Sequence, residues 1–240
     1  MIQQYGVKKN MFFKQIIKIF DIEDKKEPII LFMVFFLPGF INQSQTVDGT
    51  VFNSIWFNLV YLMTVIPQIL LILYLIEKKP AGQIQLYGIT KIKSKDLFYG
   101  IVYFLGILII MLGLVIISNL ITYIGYDTSA EAPLWQFNNK KIIPLILITC
   151  LATGYSEELF FRSYLLSEFN SPGKEKYVIT GTSFIFALGH IYQGLAGFFG
   201  TFAIGFFLAS IFIKKRELHS IAIAHGLYNF TVLIISTSFI

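Results

Sequence analysis

The stretch Gly154–Leu166, GYSEELFFRSYLL, sets Glu157, Glu158 and Arg162 inside an apolar run that starts at Ile142 and finishes near Phe169. A charged side chain near the middle of a bilayer costs about 2.5–3.5 kcal/mol even on lenient insertion scales, so ionisable residues placed there imply a function and require partners. On a helix, Glu158 and Arg162 stand four apart and share a face, so each neutralises the other, while Glu157 points about 100° away. This spacing predicts one carboxylate locked in an ion pair and a second left to take a proton. The competing structural reading is a helix end at which both glutamates and Arg162 snorkel to the membrane interface.

The rest of the chain supports a membrane setting. Its 240 residues are 55% hydrophobic and 14% charged, with a mean hydropathy of +0.69, against about 25% charged in soluble domains. The formal charge of +5 is spread between apolar runs rather than gathered in one patch. That distribution excludes a nucleic-acid partner and points to the lipid bilayer. Cys150 is the only cysteine, so intramolecular disulfides and a cysteine metal cage are excluded. Residues 1–27 read as a basic amphipathic segment: Met11–Phe20 mixes Phe and Ile with Lys14 and Lys18, a pattern that lies on anionic headgroups as an interfacial helix. A disordered basic tail is the plainer alternative.

Seven apolar runs follow, Ile29–Ile41, Val51–Ile76, Leu97–Tyr126, Ile142–Phe169, Tyr177–Tyr192, Leu195–Ile213 and Leu218–Ile240. The first is short for a bilayer needing about 20 residues and is broken by Pro38 and Gly39. Pro67 is expected to kink the second, where neighbouring helices satisfy the freed carbonyl. The fold class expected is all-α, a polytopic transmembrane bundle of about seven spans with eight as the alternative, forming one domain over 28–240. Lys and Arg number six in residues 1–28, five in 77–96, three in 162–176 and three in 214–219, against only Lys140 and Lys141 in the opposing segments. The bias predicts a multi-pass cell-membrane protein with its N-terminus cytoplasmic. Ala196 and Gly200, and Gly197, Thr201 and Gly205, are small residues four apart that let a neighbouring helix approach closely.

Two further polar pairs lie on the later runs. Phe186 and His190 stand four apart, as do His225 and Asn229, so each pair shares a helix face. Taken singly, His190 reads as a packed core histidine, and His225 with Asn229 as a polar contact that glues helices. Counted from the lysine-rich ends, Glu157, His190 and His225 all fall roughly 10–20 Å deep at 1.5 Å per residue. The fourth, fifth and seventh runs can thus direct a carboxylate, two imidazoles and an amide at one buried point. His219, beside Lys214, Lys215 and Arg216, reads as a solvated loop residue.

Two chemistries fit. In one, Glu157 and His190 hold and deprotonate a water while His225 and Asn229 stabilise the oxyanion formed at a peptide carbonyl. In the other, Glu157, His190 and His225 ligate zinc with a fourth position open for water. The first, which needs no cofactor or metal, is preferred because HExxH is lacking and Asn229 gains a role; spacing alone leaves the second open. Ser156 and Ser183 lie in no GxSxG turn, and Cys150 reads as inert packing.

In combination the motifs EExxxR (Glu157, Glu158, Arg162), FxxxH (Phe186, His190) and HxxxN (His225, Asn229) resemble the CAAX protease and bacteriocin-processing family, also called the Abi family, of intramembrane glutamate proteases. The likeness covers about residues 142–235, the expected catalytic core; Ser163 stands where many relatives have glycine. It implies a helical membrane peptidase in which Glu157 and His190 activate water, His225 and Asn229 stabilise the oxyanion, and Glu158, Arg162 and Phe186 support them. It further implies a membrane-associated peptide or protein substrate of the pheromone or bacteriocin kind. A non-catalytic immunity or scaffold protein of the same family is the alternative. A proton-relaying transporter is third, since no repeated halves or matched broken helices occur.

Overall fold

The computed structural model describes residues 25–38, 51–123 and 140–238. The expected N-terminal interfacial helix and the end of the first apolar run lie outside them. Within them the chain forms α1 (Lys26–Phe35), α2 (Ile55–Glu77), α3 (Ser94–Tyr123), α4 (Ile143–Glu158), α5 (Glu175–Leu188), α6 (Gly194–Lys215) and α7 (Leu218–Ser238). Five helical stretches, Ile55–Glu77, Ser94–Leu120, Lys140–Phe169, Ile191–Lys215 and Leu218–Ile235, are long and apolar enough to cross a membrane. The other two expected spans appear as the shorter α1 and α5, of 10 and 14 residues. α2 starts on an N-cap, Ser54, whose hydroxyl accepts from the Phe57 N–H at 3.2 Å, and it runs on through Pro67 without interruption.

Helices suit this solvent because they satisfy their own backbone groups where water is absent. α2 and α3 have mean hydropathies of 2.4 and 2.9 with 17% of their most apolar windows buried, whereas Lys140–Phe169 and α7 reach only 1.4 and 1.5 with 44% and 50% buried. The helices that carry polar groups are therefore the inner ones. Trp56, Met63, Ile109 and Leu195 stand on outward faces, which is unremarkable for a chain whose surroundings are hydrocarbon. α7 packs chiefly on α4 and α3, and α6 on α5.

α4 does not continue as a regular helix. Beyond Glu158 it widens into a π-helix over Leu159–Leu166, all eight residues buried, before a last turn at Ser167–Phe169. Apart from Arg162, the polar residues of this segment find partners at the lysine-rich end of the bundle. Ser163 Oγ donates to the Tyr87 carbonyl at 2.5 Å, and Tyr87 donates to Glu168 at 2.5 Å. Lys79 bridges Glu27 at 2.8 Å and Glu168 at 2.9 Å, and the Tyr164 hydroxyl donates to Glu27. α1 is thereby fastened to the central helix, with Phe36 packed on Phe160 and Phe161 at ring separations of 4.5 and 4.9 Å.

His219 departs from the sequence expectation. It is buried in the first turn of α7, stacked on Tyr155 at 5.8 Å, and its Nε2–H donates to the Thr90 carbonyl at 2.6 Å. α6 ends at Lys215 and α7 starts at Leu218, with only Arg216 and Glu217 between them, so the histidine is carried inside instead of into solvent.

Candidate active site

α4 and α7 cross in backbone contact. A Cβ on Gly154 would lie 2.6 Å from the Gly226 nitrogen, and one on Gly226 would lie 2.7 Å from the Leu151 Cα and 3.0 Å from the Cys150 carbonyl oxygen. No side chain fits there, so the two glycines set the distance between the helices. Gly154 precedes Glu157 by one turn and Gly226 follows His225 directly. The crossing consequently presses the two glutamates against the imidazole: His225 Nδ1 lies 2.7 Å from Glu158 Oε1, and Nε2 lies 3.5 Å from Glu157 Oε2.

The reading of a snorkelling helix end is excluded by burial. Glu158 and Arg162 are 0% and 1% exposed, and Arg162 Nη1 sits 3.1 Å from the Glu158 oxygen that also faces His225. Because a carboxylate oxygen only accepts, His225 carries a proton on Nδ1 and donates it to Glu158. Glu157 is different, with 20% of its side chain exposed and its 3.5 Å approach to His225 too long for a hydrogen bond. One carboxylate is committed and one is less so, as the spacing predicted.

His190 stands beyond its helix, not on it. α5 stops at Leu188, Gly189 caps it, and the chain turns through Ile191–Gln193 into Gly194, whose φ of 77° and ψ of −179° suit glycine alone. The expected run to Tyr192 is thus cut short by a reversal that returns the chain into α6. His190 Nδ1 nevertheless donates to the Phe186 carbonyl at 3.0 Å. This bond places a proton on Nδ1, so that in the neutral tautomer Nε2 is the acceptor.

Phe186 is the common wall. Its ring lies 4.9 Å from that of His190 and 5.8 Å from that of His225, and the Arg162 guanidinium stacks 4.3 Å from its centre. Gly205 of α6 completes this wall, since a Cβ there would come within 3.0 Å of Arg162 Nη2 and 3.2 Å of the Phe186 ring.

Above this floor lies a cavity of about 310 Å³, lined by Glu157, His190, His225, Asn229 and Phe186 among others. All four residues expected to do chemistry therefore border one space, with Glu158 and Arg162 sealed beneath it. Cys150 also borders it and is buried. Among the described residues no group of three or more His, Cys, Asp or Glu side chains is arranged to hold a metal ion. Two contributors escaped the sequence reading. Tyr61 of α2 lines the cavity with its hydroxyl 3.2 Å from Thr153 Oγ1, and Tyr192 joins it from the turn after His190. Neither belongs to a spaced motif, so only the folded chain brings them in.

Residues 139–231 match the family described as type II CAAX prenyl endopeptidase Rce1-like, which bears out the resemblance carried by the three motifs. This supports a CAAX-type intramembrane protease kind of function. No curated protein and no solved structure matches the chain.

Proposed function

We propose that this bundle is an intramembrane endopeptidase that hydrolyses a peptide bond of a membrane-associated peptide or protein, with its N-terminus cytoplasmic and its spans in the cell membrane. The observation that carries the reading is the convergence of Glu157, His190, His225 and Asn229 on one cavity over a buried Glu158–Arg162 pair. A water held between the Glu157 carboxylate and His190 Nε2 gives a proton to Glu157 as its oxygen attacks the scissile carbonyl. The carbonyl oxygen, now an oxyanion, accepts from the Asn229 amide and from His225.

With Nδ1–H committed to Glu158 at 2.7 Å, His225 donates to the oxyanion from Nε2 when the ring carries both protons. Glu158 is thus a positioning residue and Arg162 holds Glu158. As the tetrahedral intermediate collapses and the C–N bond breaks, Glu157 returns its proton to the departing amine. No metal takes part in this scheme, so cleavage is expected to persist in a chelator.

The test is Glu157→Gln, read by comparative mass spectrometry of membrane and secreted peptides from cells carrying either form. A peptide product present with the native chain and absent with the variant, at equal expression, is expected. Processing retained by Glu157→Gln would remove the general base and return the chain to an immunity or scaffold role.

A further inference from the structure

The cavity has a floor and a mouth, and they lie toward different membrane faces. At one end of the bundle stand Lys78, Lys79, Lys174, Lys176, Lys214, Lys215 and Arg216, where α2 and α6 finish and α5 and α7 begin. At the other end, among the described residues, the only basic side chains are Lys140 and Lys141, ahead of α4. Toward the lysine-rich end, everything beyond Glu157 is closed: residues 158–166 are buried without a break, and Phe160, Phe161 and Arg162 plug the route.

Toward the lysine-poor end the lining opens. Phe52 precedes α2, Tyr192 and Gln193 form the turn after His190, and Val232 lies deep along α7. Tyr192 and Val232 are exposed. Among the described residues, these border the cavity on its lysine-poor side.

Resting on the peptidase reading above, we infer that the substrate approaches from the lysine-poor face. Since short loops rich in Lys and Arg stay cytoplasmic, that face is extracytoplasmic. The substrate class is then the extracytoplasmic, membrane-proximal part of an exported or membrane-anchored peptide. A cytoplasmic tail would meet the plugged end. Phe52, Met111, Ile204 and Leu233 offer apolar contact for a side chain beside the scissile bond, while Gln193 offers an amide to its backbone.

Orientation is read without reference to catalysis. Cys150 is the only cysteine, so a Cys150→Ser chain carries one reporter at a time: Gln193→Cys or Tyr192→Cys at the mouth, Lys176→Cys at the other end. Each is treated with a membrane-impermeant maleimide in intact cells and in inverted vesicles, with detergent-solubilised protein as the measure of full labelling. The mouth cysteines are expected to label in intact cells, and Lys176→Cys only after inversion.

Mouth cysteines that label only in inverted vesicles overturn the inference. So do mouth cysteines that label in detergent and from neither face. Two mouth positions guard against one variant misfolding. Labelling from outside together with processing retained by Glu157→Gln would leave the orientation standing and sink the peptidase instead.

Discussion

The buried pair beneath the cavity makes a quantitative demand. Glu158 and Arg162 are fully withdrawn from solvent at 3.1 Å, and breaking such a pair from one side costs about 3–5 kcal/mol, because the survivor stays charged and unpaired. The two single changes are not equivalent here. Arg162→Met leaves Glu158 with the His225 Nδ1–H at 2.7 Å, a donor that can become a full cation, so its cost belongs near the lower bound. Glu158→Gln leaves the guanidinium with the rings of Phe186 at 4.3 Å and Phe161 at 5.8 Å and the more distant Glu157. It also frees His225, and its cost belongs near the upper bound. Replacing both removes the charges together and should cost less than either single change, since apolar or neutral substitutes for a buried ion pair are often tolerated. Unfolding free energies of the detergent-solubilised protein, measured by heat and by denaturing detergent, give the cycle. The double variant should fold and yet fail to cleave, because His225 has lost its anchor. If the double variant loses the sum of the two single losses, the pair is not coupled and the account of the floor is wrong.

Other consequences follow from the same geometry. Gly226→Ala must push α7 off α4, because its Cβ would meet the backbone of Leu151 and Cys150; displacement of His225 by even about 1 Å should cut turnover by about 10²-fold, while Gly82→Ala, which meets nothing within 4 Å, should leave peptide release unchanged. Asn229→Ala should lower kcat by about 10²–10³-fold with little change in KM, as loss of one oxyanion donor does, and an equal rise in KM instead would assign Asn229 to substrate binding. The Lys79–Glu27 clasp sets a pH dependence. Burial pushes the Glu27 carboxyl up, but hydrogen bonds from Lys79 and Tyr164 outweigh it and hold the group below its ordinary value. A depressed carboxylate contributes stability above its unfolded pKa and loses it as pH falls through the lower folded one. The stability gap between the native chain and Lys79→Met should therefore narrow on acidification through the carboxylate range, and a gap constant across that range would leave the clasp without effect.

The sequence was legible where chemistry forces spacing. Glu158 and Arg162 stand four apart at 3.1 Å and His225 and Asn229 share a face of α7, as periodicity requires, whereas His190 lies past the end of α5 and meets Phe186 through its bond to the Phe186 carbonyl. It was less informative where tertiary packing overrides local preference. The apolar run through His190 looked continuous because Ala187, Leu188 and Gly189 carry no stop signal strong enough to mark a reversal, and only Gly194 at positive φ betrays it. His219 looked solvated because basic neighbours surround it in sequence, whereas the first turn of α7 buries it against Tyr155 and Thr90. Tyr61 has no signal at all, since a tyrosine in an apolar span reads as packing until α2 is laid beside α4.

The π-helix explains why the charged stretch tolerated so much at once. A helix with protein on one side only divides its residues between a lipid face and a core face, but this segment is surrounded by α2, α5, α6, α7 and the turn at Gln85–Tyr87. Here all eight are buried, so Ser163 and Tyr164 can reach Tyr87 and Glu27 at the lysine-rich end while Arg162 reaches back to Glu158. Widened turns of this kind recur where function imposes a side-chain arrangement that a 3.6-residue period does not supply. The glycine crossing at Gly154 and Gly226 then needs only to bring α7 into contact one turn away. Thus one helix carries both glutamates and Arg162, while α7 adds His225 and Asn229 and the turn after α5 adds His190 to the cavity that Glu157 borders.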